Sequence, residues 1–293
     1  MSLSPRRSPT RDGKKKISIS KMIKKKIARS FSGTEVCVSS SGDETLVSAD
    51  NSQCVEIDLD MAAKAVPMAE DRVAQVIAQS PYLSRRNRRF DVPSFTPDDF
   101  EVGKRLAHGG FANVHRLEQW NCDCDLNEEE NVGKEYVVKT LRVDQATSVE
   151  RLAASAADMV LEAYVMTTLD HPNILKLRGM SNKGLHSLKR GRVDGFFLMF
   201  DYLPVTLNRQ LSKWKKQHEA SVQQRLQSAV QMASALEYMH SKHIIYRDLK
   251  PSNAGYTKEG ILQLFDFGLA VEIPPTSDPD KLFNMAGKKG TPR

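Results

Sequence analysis

The chain has 293 residues, of which 40% are hydrophobic and 27% charged, and its net charge is +7. This length suffices for one or two packed domains with tails, and no apolar run approaches the ~20 residues of a membrane span. Lysines follow the N-terminus where a secretory signal would have an apolar core, and the four cysteines form no disulfide framework. We therefore expect an intracellular protein, cytoplasmic or nuclear, rather than a secreted or membrane-spanning one.

Residues 1–93 are predicted to form a mostly disordered region that is basic and rich in serine. Residues 1–30 contain 11 lysines and arginines against one acid, which leaves 32 basic and 35 acidic residues elsewhere. Apolar residues recur at helical spacing among lysines between Ile19 and Phe31, which suits a basic amphipathic helix. Such a helix would bind an anionic membrane or a regulatory partner, or act as a nuclear address, and a solvated tail is the alternative.

The segment 61–79 is rich in alanine and valine and predicts a short helix that Pro67 should interrupt. A basic cluster follows at 85–89, and two further prolines then indicate a boundary. We therefore place the start of the folded part near Ser94.

A strand-like alternation of apolar and polar residues begins at Phe100. Within it, residues 106–114 contain two adjacent glycines, Gly109 and Gly110, and predict a hairpin. Glycine lets backbone amides approach a phosphate group closely, so this hairpin is a candidate phosphate-binding loop.

Residues 118–134 form an acidic, asparagine-rich insertion that predicts a long loop. Its Cys122-Asp123-Cys124 stretch lacks the second ligand pair of a typical metal site, so an ordinary surface loop is favoured. The strand pattern resumes at residues 136–139 and includes Lys139.

A helix is predicted from the capping box that Thr147 forms with Glu150. Its apolar stripe repeats at intervals of three and four residues through Leu152, Ala156, Met159, Ala163 and Met166. Glu162 borders this stripe, so its carboxylate can point inward to Lys139.

Residues 196–203 predict a buried strand that ends in a polar turn, and residues 222–239 predict a long amphipathic helix. A last strand is predicted at 261–265.

Two motifs lie on either side of that last strand. The stretch Tyr246-Arg247-Asp248-Leu249-Lys250-Pro251-Ser252-Asn253 comes first, and Asp266-Phe267-Gly268 begins thirteen residues after its end. Asp248 can orient an attacking hydroxyl, and Lys250 can neutralise charge on a moving phosphoryl group. Asn253 and Asp266 offer the hard oxygen ligands that Mg²⁺ prefers. The combination therefore favours phosphoryl transfer.

Together, and at this spacing, the two motifs resemble the catalytic loop and the metal-binding triplet of the eukaryotic protein kinases. Lys250 and the Pro251-Ser252 pair resemble the Ser/Thr branch rather than the Tyr branch. The resemblance implies an α+β, two-lobe fold, with a small lobe at 94–203 and part of a helical large lobe at 204–293. It also implies that ATP and Mg²⁺ are bound and that a protein serine or threonine is the substrate.

The resemblance assigns roles to individual residues. Asp248 would be the catalytic base, Lys250 the charge stabiliser, and Lys139 with Glu162 the phosphate-positioning pair. Asn253 and Asp266 would hold the metal. The nucleotide would be bound by Leu106, Gly109, Val114, Val137, Lys139, Asp201 and Leu203, with Phe200 guarding the pocket behind the hinge. Of the three glycine positions of the family's phosphate loop, only that of Gly109 is kept; Ala107 and Ala112 hold the others.

The resemblance also predicts an apolar column that links the lobes, formed by Met166, Leu177, Tyr246 and Phe267. Arg247 would bind a phosphate on the activation loop, where Thr276 and Ser277 are candidates. Thr291 would bond to Asp248 and Lys250.

The resemblance covers about residues 96–293 and stops within the segment that receives the substrate. We therefore expect a fragment of a longer kinase, in which the helix at 222–239 would lack much of its cover. A truncated, pseudokinase-like module that binds nucleotide or a partner without catalysis is the alternative. Nucleic-acid binding rests on the basic tail alone and is ranked last.

Overall fold

A six-stranded sheet forms the first half of the fold. The computed structural model describes residues 57–80, 92–108, 111–122, 134–144, 147–217 and 222–274, which belong to one compact unit. The strands of this sheet are β1 (Ser94–Phe95), β2 (Phe100–His108), β3 (Ala112–Trp120), β4 (Tyr136–Leu141), β5 (Leu177–Ser181) and β6 (Phe197–Asp201). Their spatial order is β1-β5-β6-β4-β3-β2, and every pairing is antiparallel except that of β1 with β5.

The two faces of the sheet bury different clusters because successive strand residues point to opposite sides. Tyr136 and Val138 of β4 join an aromatic-rich cluster with Phe100 and Phe197. Val137 and Leu141 of β4 lie on the opposite face, in the main core. Lys139 shares the parity of the second pair, so strand geometry alone directs it toward the helix that covers the main core.

That helix, α2 (Val149–Thr168), carries the predicted apolar stripe, and all five stripe residues are buried. The predicted capping box is wrong in its register. Ser148 is the N-cap residue and accepts from the Arg151 amide at 3.2 Å, whereas the Thr147 hydroxyl bonds to Asp144. Serine and threonine are both good N-cap residues, and the turn made with Asp144 occupies Thr147.

The helix α1 (Leu59–Ala78) is longer than expected, and Pro67 does not interrupt it. Its buried face consists of Ala62, Ala65, Val66, Ala69 and Val73. This face belongs to the main core, and α1 packs along α2 and along the 3₁₀ segment Gly184–Arg190. Burial of this face offsets the helix-breaking cost of an interior proline, about 3 kcal/mol. The folded part therefore begins before Ser94, contrary to our prediction.

The second half of the fold is mainly helical. It contains α3 (Leu207–Gln217) and α4 (Val222–Ser241), the latter as predicted. Short strands accompany them, namely β7 (Val205–Thr206), β8 (Ile244–Ile245), β9 (Ala254–Tyr256), β10 (Leu262–Leu264) and β11 (Val271–Glu272). Strands β7, β9 and β10 form one small sheet, and β8 pairs with β11. The expected α+β architecture is confirmed.

Helix α4 buries only part of its predicted apolar stripe. Ala235 and Met239 lie in the core, whereas Val222, Leu226 and Val230 are exposed. None of the helices in the described ranges combines the length and the apolar character that crossing a bilayer requires.

Candidate active site

Lys139 stands at the centre of the candidate site. Its Nζ lies 2.6 Å from Oε2 of Glu162 and 3.1 Å from Oδ1 of Asp266. The predicted contact between β4 and α2 is therefore formed, and it extends to the Asp266-Phe267-Gly268 triplet. The Lys139 side chain is only 15% exposed, so its amine is held between two carboxylates rather than solvated.

Glu162 connects the lysine to the backbone of the triplet. Its side chain is 3% exposed, and its second oxygen, Oε1, accepts from the Phe267 amide at 3.3 Å. One carboxylate thus fixes both the amine of Lys139 and the chain direction just after Asp266.

The charges in this cluster shift one another's pKa values. Burial lowers the pKa of Lys139, but the carboxylates of Glu162 and Asp266 together outweigh burial and raise it above its ordinary value. Burial also raises the pKa of Glu162, against the opposing effect of the Lys139 ammonium. The two carboxylates therefore favour the charged form of Lys139, whereas burial favours the neutral form of Glu162.

The loop after β8 holds a second polar cluster around Asp248, whose side chain is 8% exposed. The Lys250 ammonium lies 2.8 Å from its Oδ2, and Nδ2 of Asn253 donates to the same oxygen at 2.9 Å. The same side-chain Nδ2 also donates to the Asp248 backbone carbonyl at 3.2 Å. The loop therefore orients Asp248 from two sides, and the 3₁₀ turn Pro251–Asn253 places both donors there.

The two clusters are joined through the backbone. The Phe265 amide donates to the Asn253 carbonyl at 3.0 Å, so Asn253 and Asp266 lie on adjacent chain segments. Asp266 has the left-handed φ of 64°, a sparsely populated conformation for aspartate that often occurs at functional sites. The chain therefore changes direction at Asp266, whose side chain is 47% exposed.

Asn253 and Asp266 can supply oxygen ligands to a divalent metal ion. Asp266 uses Oδ1 for Lys139, and within the described ranges neither its Oδ2 nor the Oδ1 of Asn253 makes a hydrogen bond. Hard oxygen donors of this kind fit Mg²⁺, whose remaining ligands are commonly phosphate and water. Among described residues no cluster of three His, Cys, Asp or Glu side chains offers an all-protein site.

Four of the seven residues predicted to bind the nucleotide lie in the main core or pack against it. Leu106 and Val114, on the paired strands β2 and β3, are partly buried against the main core, as is Leu203 after β6. Val137 and Phe200 are buried on adjacent strands and lie in register with each other. The predicted hairpin is formed by β2 and β3, but Gly109 at its tip lies outside the described residues.

Asp201, at the end of β6, makes a contact that sequence reasoning missed. Arg178 on β5 binds both of its carboxylate oxygens, with Nε at 2.9 Å from Oδ1 and Nη2 at 2.7 Å from Oδ2. The next amide, that of Tyr202, donates to the Glu135 carbonyl at 2.8 Å. The turn after β6 is therefore fixed both by the side chain of Asp201 and by the backbone amide of Tyr202. No local signal marks Arg178, because its partner comes from the next strand along the chain.

Tyr246 and Phe267 pack against each other, with ring centroids 5.1 Å apart. Both are buried in the main core together with Met166 and Leu177, the other members of the predicted column. The Tyr246 hydroxyl also donates to the Phe265 carbonyl, a hydrogen bond that the sequence did not predict.

Arg247, which we expected to bind a phosphate, donates from Nε to the Leu269 carbonyl at 2.6 Å and has a φ of 66°. The phosphate contact itself stays a prediction. The candidate phosphorylation sites, Thr276 and Ser277, lie outside the described residues. The same holds for Thr291, which was expected to bond to Asp248 and Lys250.

Comparison with known proteins relates the chain to phosphotransfer enzymes. The family model described as "Protein kinase domain" matches residues 100–292. The chain is 30% identical over 187 residues to an Aurora kinase of Saccharomyces cerevisiae, covering 62% of this chain and 43% of that protein. It is 30% identical over 196 residues to Protein kinase 3 of Dictyostelium discoideum, covering 66% of this chain and 18% of the relative. It is 28% identical over 216 residues to Aurora kinase B of Xenopus tropicalis, covering 72% and 53% respectively. The chain thus spans about half the length of these Aurora kinases and less of the Dictyostelium protein.

Proposed function

The chain belongs to the eukaryotic protein kinase family, and we propose that it transfers the γ-phosphoryl group of ATP to a serine or threonine hydroxyl of a protein. Protein kinases in general use ATP and a divalent metal ion. The finer assignments, namely the acceptor residue, Mg²⁺ and the role of each side chain, are our proposal.

The observation that carries the proposal is the position of Lys139, whose amine contacts both Glu162 and Asp266. A lysine ammonium that is held by two carboxylates suits the phosphates of a nucleotide, because its position is set before the substrate binds. The contact with Asp266 further places this cation beside the proposed metal ligand.

Asp248 orients the acceptor hydroxyl and takes its proton as the phosphoryl group moves. The hydrogen bonds from Lys250 and Asn253 hold the carboxylate in one orientation, so little reorganisation is needed during the reaction. Lys250 also offsets the negative charge of the transferring group. Asn253 and Asp266 would hold Mg²⁺, which when bound neutralises phosphate charge.

The serine or threonine preference rests on the Lys250-Pro251-Ser252 stretch, which resembles the Ser/Thr branch of the family. Binding of a membrane or a regulatory partner by the basic tail stays a prediction, because residues 1–56 lie outside the described ranges. Cytoplasmic or nuclear location stays a prediction as well.

The test uses the full chain, Mg-ATP and three peptide pools in which serine, threonine or tyrosine is the sole acceptor. We expect transfer to the first two pools, and Asp248→Asn should reduce kcat by about 100- to 1,000-fold, since a positioned general base typically contributes that much. Asp170→Asn is the matched control, because Asp170 is exposed in the loop after α2.

Two results would overturn the proposal. Full activity of Asp248→Asn would remove the assigned base. Nucleotide binding by the wild-type chain without phosphoryl transfer to any pool would instead favour a nucleotide-binding module.

A further inference from the structure

Helix α1 packs against the helix that carries Glu162, and Ser80, just after α1, contacts the strand that follows Asp266. The chain just before the helix is fixed at the end of the 3₁₀ segment, where the Ile57 amide donates to the Gly191 carbonyl at 2.9 Å. Its middle packs along α2, which carries Glu162. Two residues beyond its C-terminal end, Ser80 contacts β11, the strand that follows the Asp266-Phe267-Gly268 triplet.

The contact with α2 includes an ion pair between the helices. Nη2 of Arg72 lies 2.8 Å from Oδ1 of Asp158, and both side chains are partly buried. Asp158 precedes Glu162 by four residues, so the two lie one above the other along α2. An ion pair that holds Asp158 in place therefore also helps to set the position of Glu162 relative to β4.

The contact with β11 comes from Ser80, two residues beyond the last residue of the helix. Ser80 is buried, and its hydroxyl donates to Oε2 of Glu272. Glu272 lies on β11, which pairs with β8 immediately before the loop that holds Asp248. The end of α1 is therefore tied to the chain segment that leaves the triplet.

We propose that α1 and Ser80 form a positioning element for phosphoryl transfer, in which Arg72 holds the Glu162-bearing helix and Ser80 holds the strand after Asp266. Neither residue touches the reacting atoms. Together they keep Glu162 and Asp266 within reach of Lys139. This inference rests on the proposed kinase reaction, and it extends the working catalytic unit to residues ahead of the family match, which begins at residue 100.

The buried face of α1 supports this role. Alanines occupy three of its five buried positions, and α2 contributes the buried alanines Ala153, Ala156 and Ala157. Small side chains allow two helices to approach closely, so a shift of α1 is transmitted to α2 rather than absorbed by flexible side chains.

The first test exchanges the charges of the ion pair in the full chain. We expect Arg72→Ala to lower kcat about tenfold with the peptide KM unchanged, because a misplacement of ~1 Å can cost up to ~100-fold in rate. The double variant Arg72→Asp with Asp158→Arg should recover most of the loss. Lys64→Ala is the matched control, since Lys64 is exposed on the same helix and its ion pair is with Asp60 of α1 itself.

Hydrogen exchange in the same variants gives a readout that does not require activity. Arg72→Ala should speed exchange in residues 149–168 and 266–274 and leave residues 222–241 unchanged. Wild-type kcat of zero would reject the kinase proposal, while this exchange pattern would still support the positioning role. Uniformly faster exchange, with a lower melting temperature and no rescue by the charge exchange, would overturn the positioning role.

The second test concerns the Ser80 contact. Ser80→Ala and Glu272→Ala should each lower kcat several-fold, while Glu272→Gln, which can still accept the hydrogen bond, should retain most activity. The effects of Ser80→Ala and Glu272→Ala should also be less than additive when combined. Fully additive effects, or equal losses in Glu272→Gln and Glu272→Ala, would show that Ser80 and Glu272 do not act through their contact.

Discussion

Glu162 accepts a hydrogen bond from the Phe267 amide at 3.3 Å with one carboxylate oxygen while the other lies 2.6 Å from the Lys139 amine. The two contacts need different properties of the side chain. An amide oxygen can accept from Phe267, but only a carboxylate balances the charge of Lys139.

Glu162→Gln separates these two properties. The variant should keep the fold and lower kcat about 10- to 100-fold, because an interaction of a buried charge with its partner is lost. Lys139 would then rely on Asp266 alone, so we also expect a higher Mg²⁺ concentration for half-maximal rate. Steady-state kinetics at varied Mg²⁺ measures both effects. Glu237→Gln, at an exposed position of α4, is the control, and an unchanged Mg²⁺ dependence would contradict the proposed sharing of Asp266.

The pH dependence of kcat/KM should reflect the protonation of Glu162. Burial raises the pKa of Glu162 above its ordinary value, so its carboxylate gains a proton more readily on acidification. Protonation of Glu162 should therefore contribute to the acid limb of kcat/KM in the wild type, and this contribution should be missing in Glu162→Gln.

Acidification that protonates Glu162 should lower the activity but raise the contribution of Glu162 to the free energy of unfolding. A folded-state pKa that exceeds the unfolded one means that the folded state binds more protons, so this group favours folding as the pH falls through the window. The melting temperature of the wild type should thus rise relative to that of Glu162→Gln on mild acidification. A difference that falls with decreasing pH would show that the ion pair keeps Glu162 ionised.

Tyr246 can be tested through its hydroxyl. Tyr246→Phe keeps the ring contact with Phe267 but leaves the Phe265 carbonyl without its buried donor. We expect a loss of about 1–2 kcal/mol in the free energy of unfolding and a smaller effect on kcat. Urea denaturation measures the first quantity, with Tyr202→Phe as the control, because the ring of Tyr202 faces Arg116 and Phe preserves that contact. Equal stabilities of wild type and Tyr246→Phe would exclude an important role for the hydroxyl.

The parts of the site that could be predicted are local in the sequence, apart from the pairing of Lys139 with Glu162, which the family resemblance supplied. Asp248, Lys250 and Asn253 lie within one short loop, and the period of α2 directs Glu162 inward, so pattern and spacing suffice. The pairs Arg178–Asp201 and Arg72–Asp158 join different elements, and neither charge pattern nor periodicity identifies such partners. Helix α1 was misjudged for a related reason. Local propensity penalises Pro67, whereas tertiary burial of the opposite face decides the outcome.

The fork between Arg178 and Asp201 predicts an effect on nucleotide affinity. Arg178→Lys keeps the charge but loses the bidentate geometry that fixes the end of β6. We expect the KM for ATP to rise about three- to tenfold with kcat nearly unchanged, since one charge-assisted hydrogen bond is lost away from the reacting atoms. Arg209→Lys, at an exposed position of α3, is the control. A fall in kcat at constant KM would place the role of the pair elsewhere.

Pro67 offers a test of how α1 is held. The residue is exposed, so Pro67→Ala removes no core contact and supplies an amide that can donate to the Ala63 carbonyl. The gain of helical hydrogen bonding should exceed the entropy that proline removes from the unfolded chain, for a net stabilisation of about 1–2 kcal/mol. The melting temperature should rise by a few degrees, whereas Met68→Ala, at the next exposed position, should change it little. If α1 only needs to be in place to position Glu162, kcat should be unchanged. A lower melting temperature would mean that the packing of α1 on α2 depends on the local geometry that proline imposes.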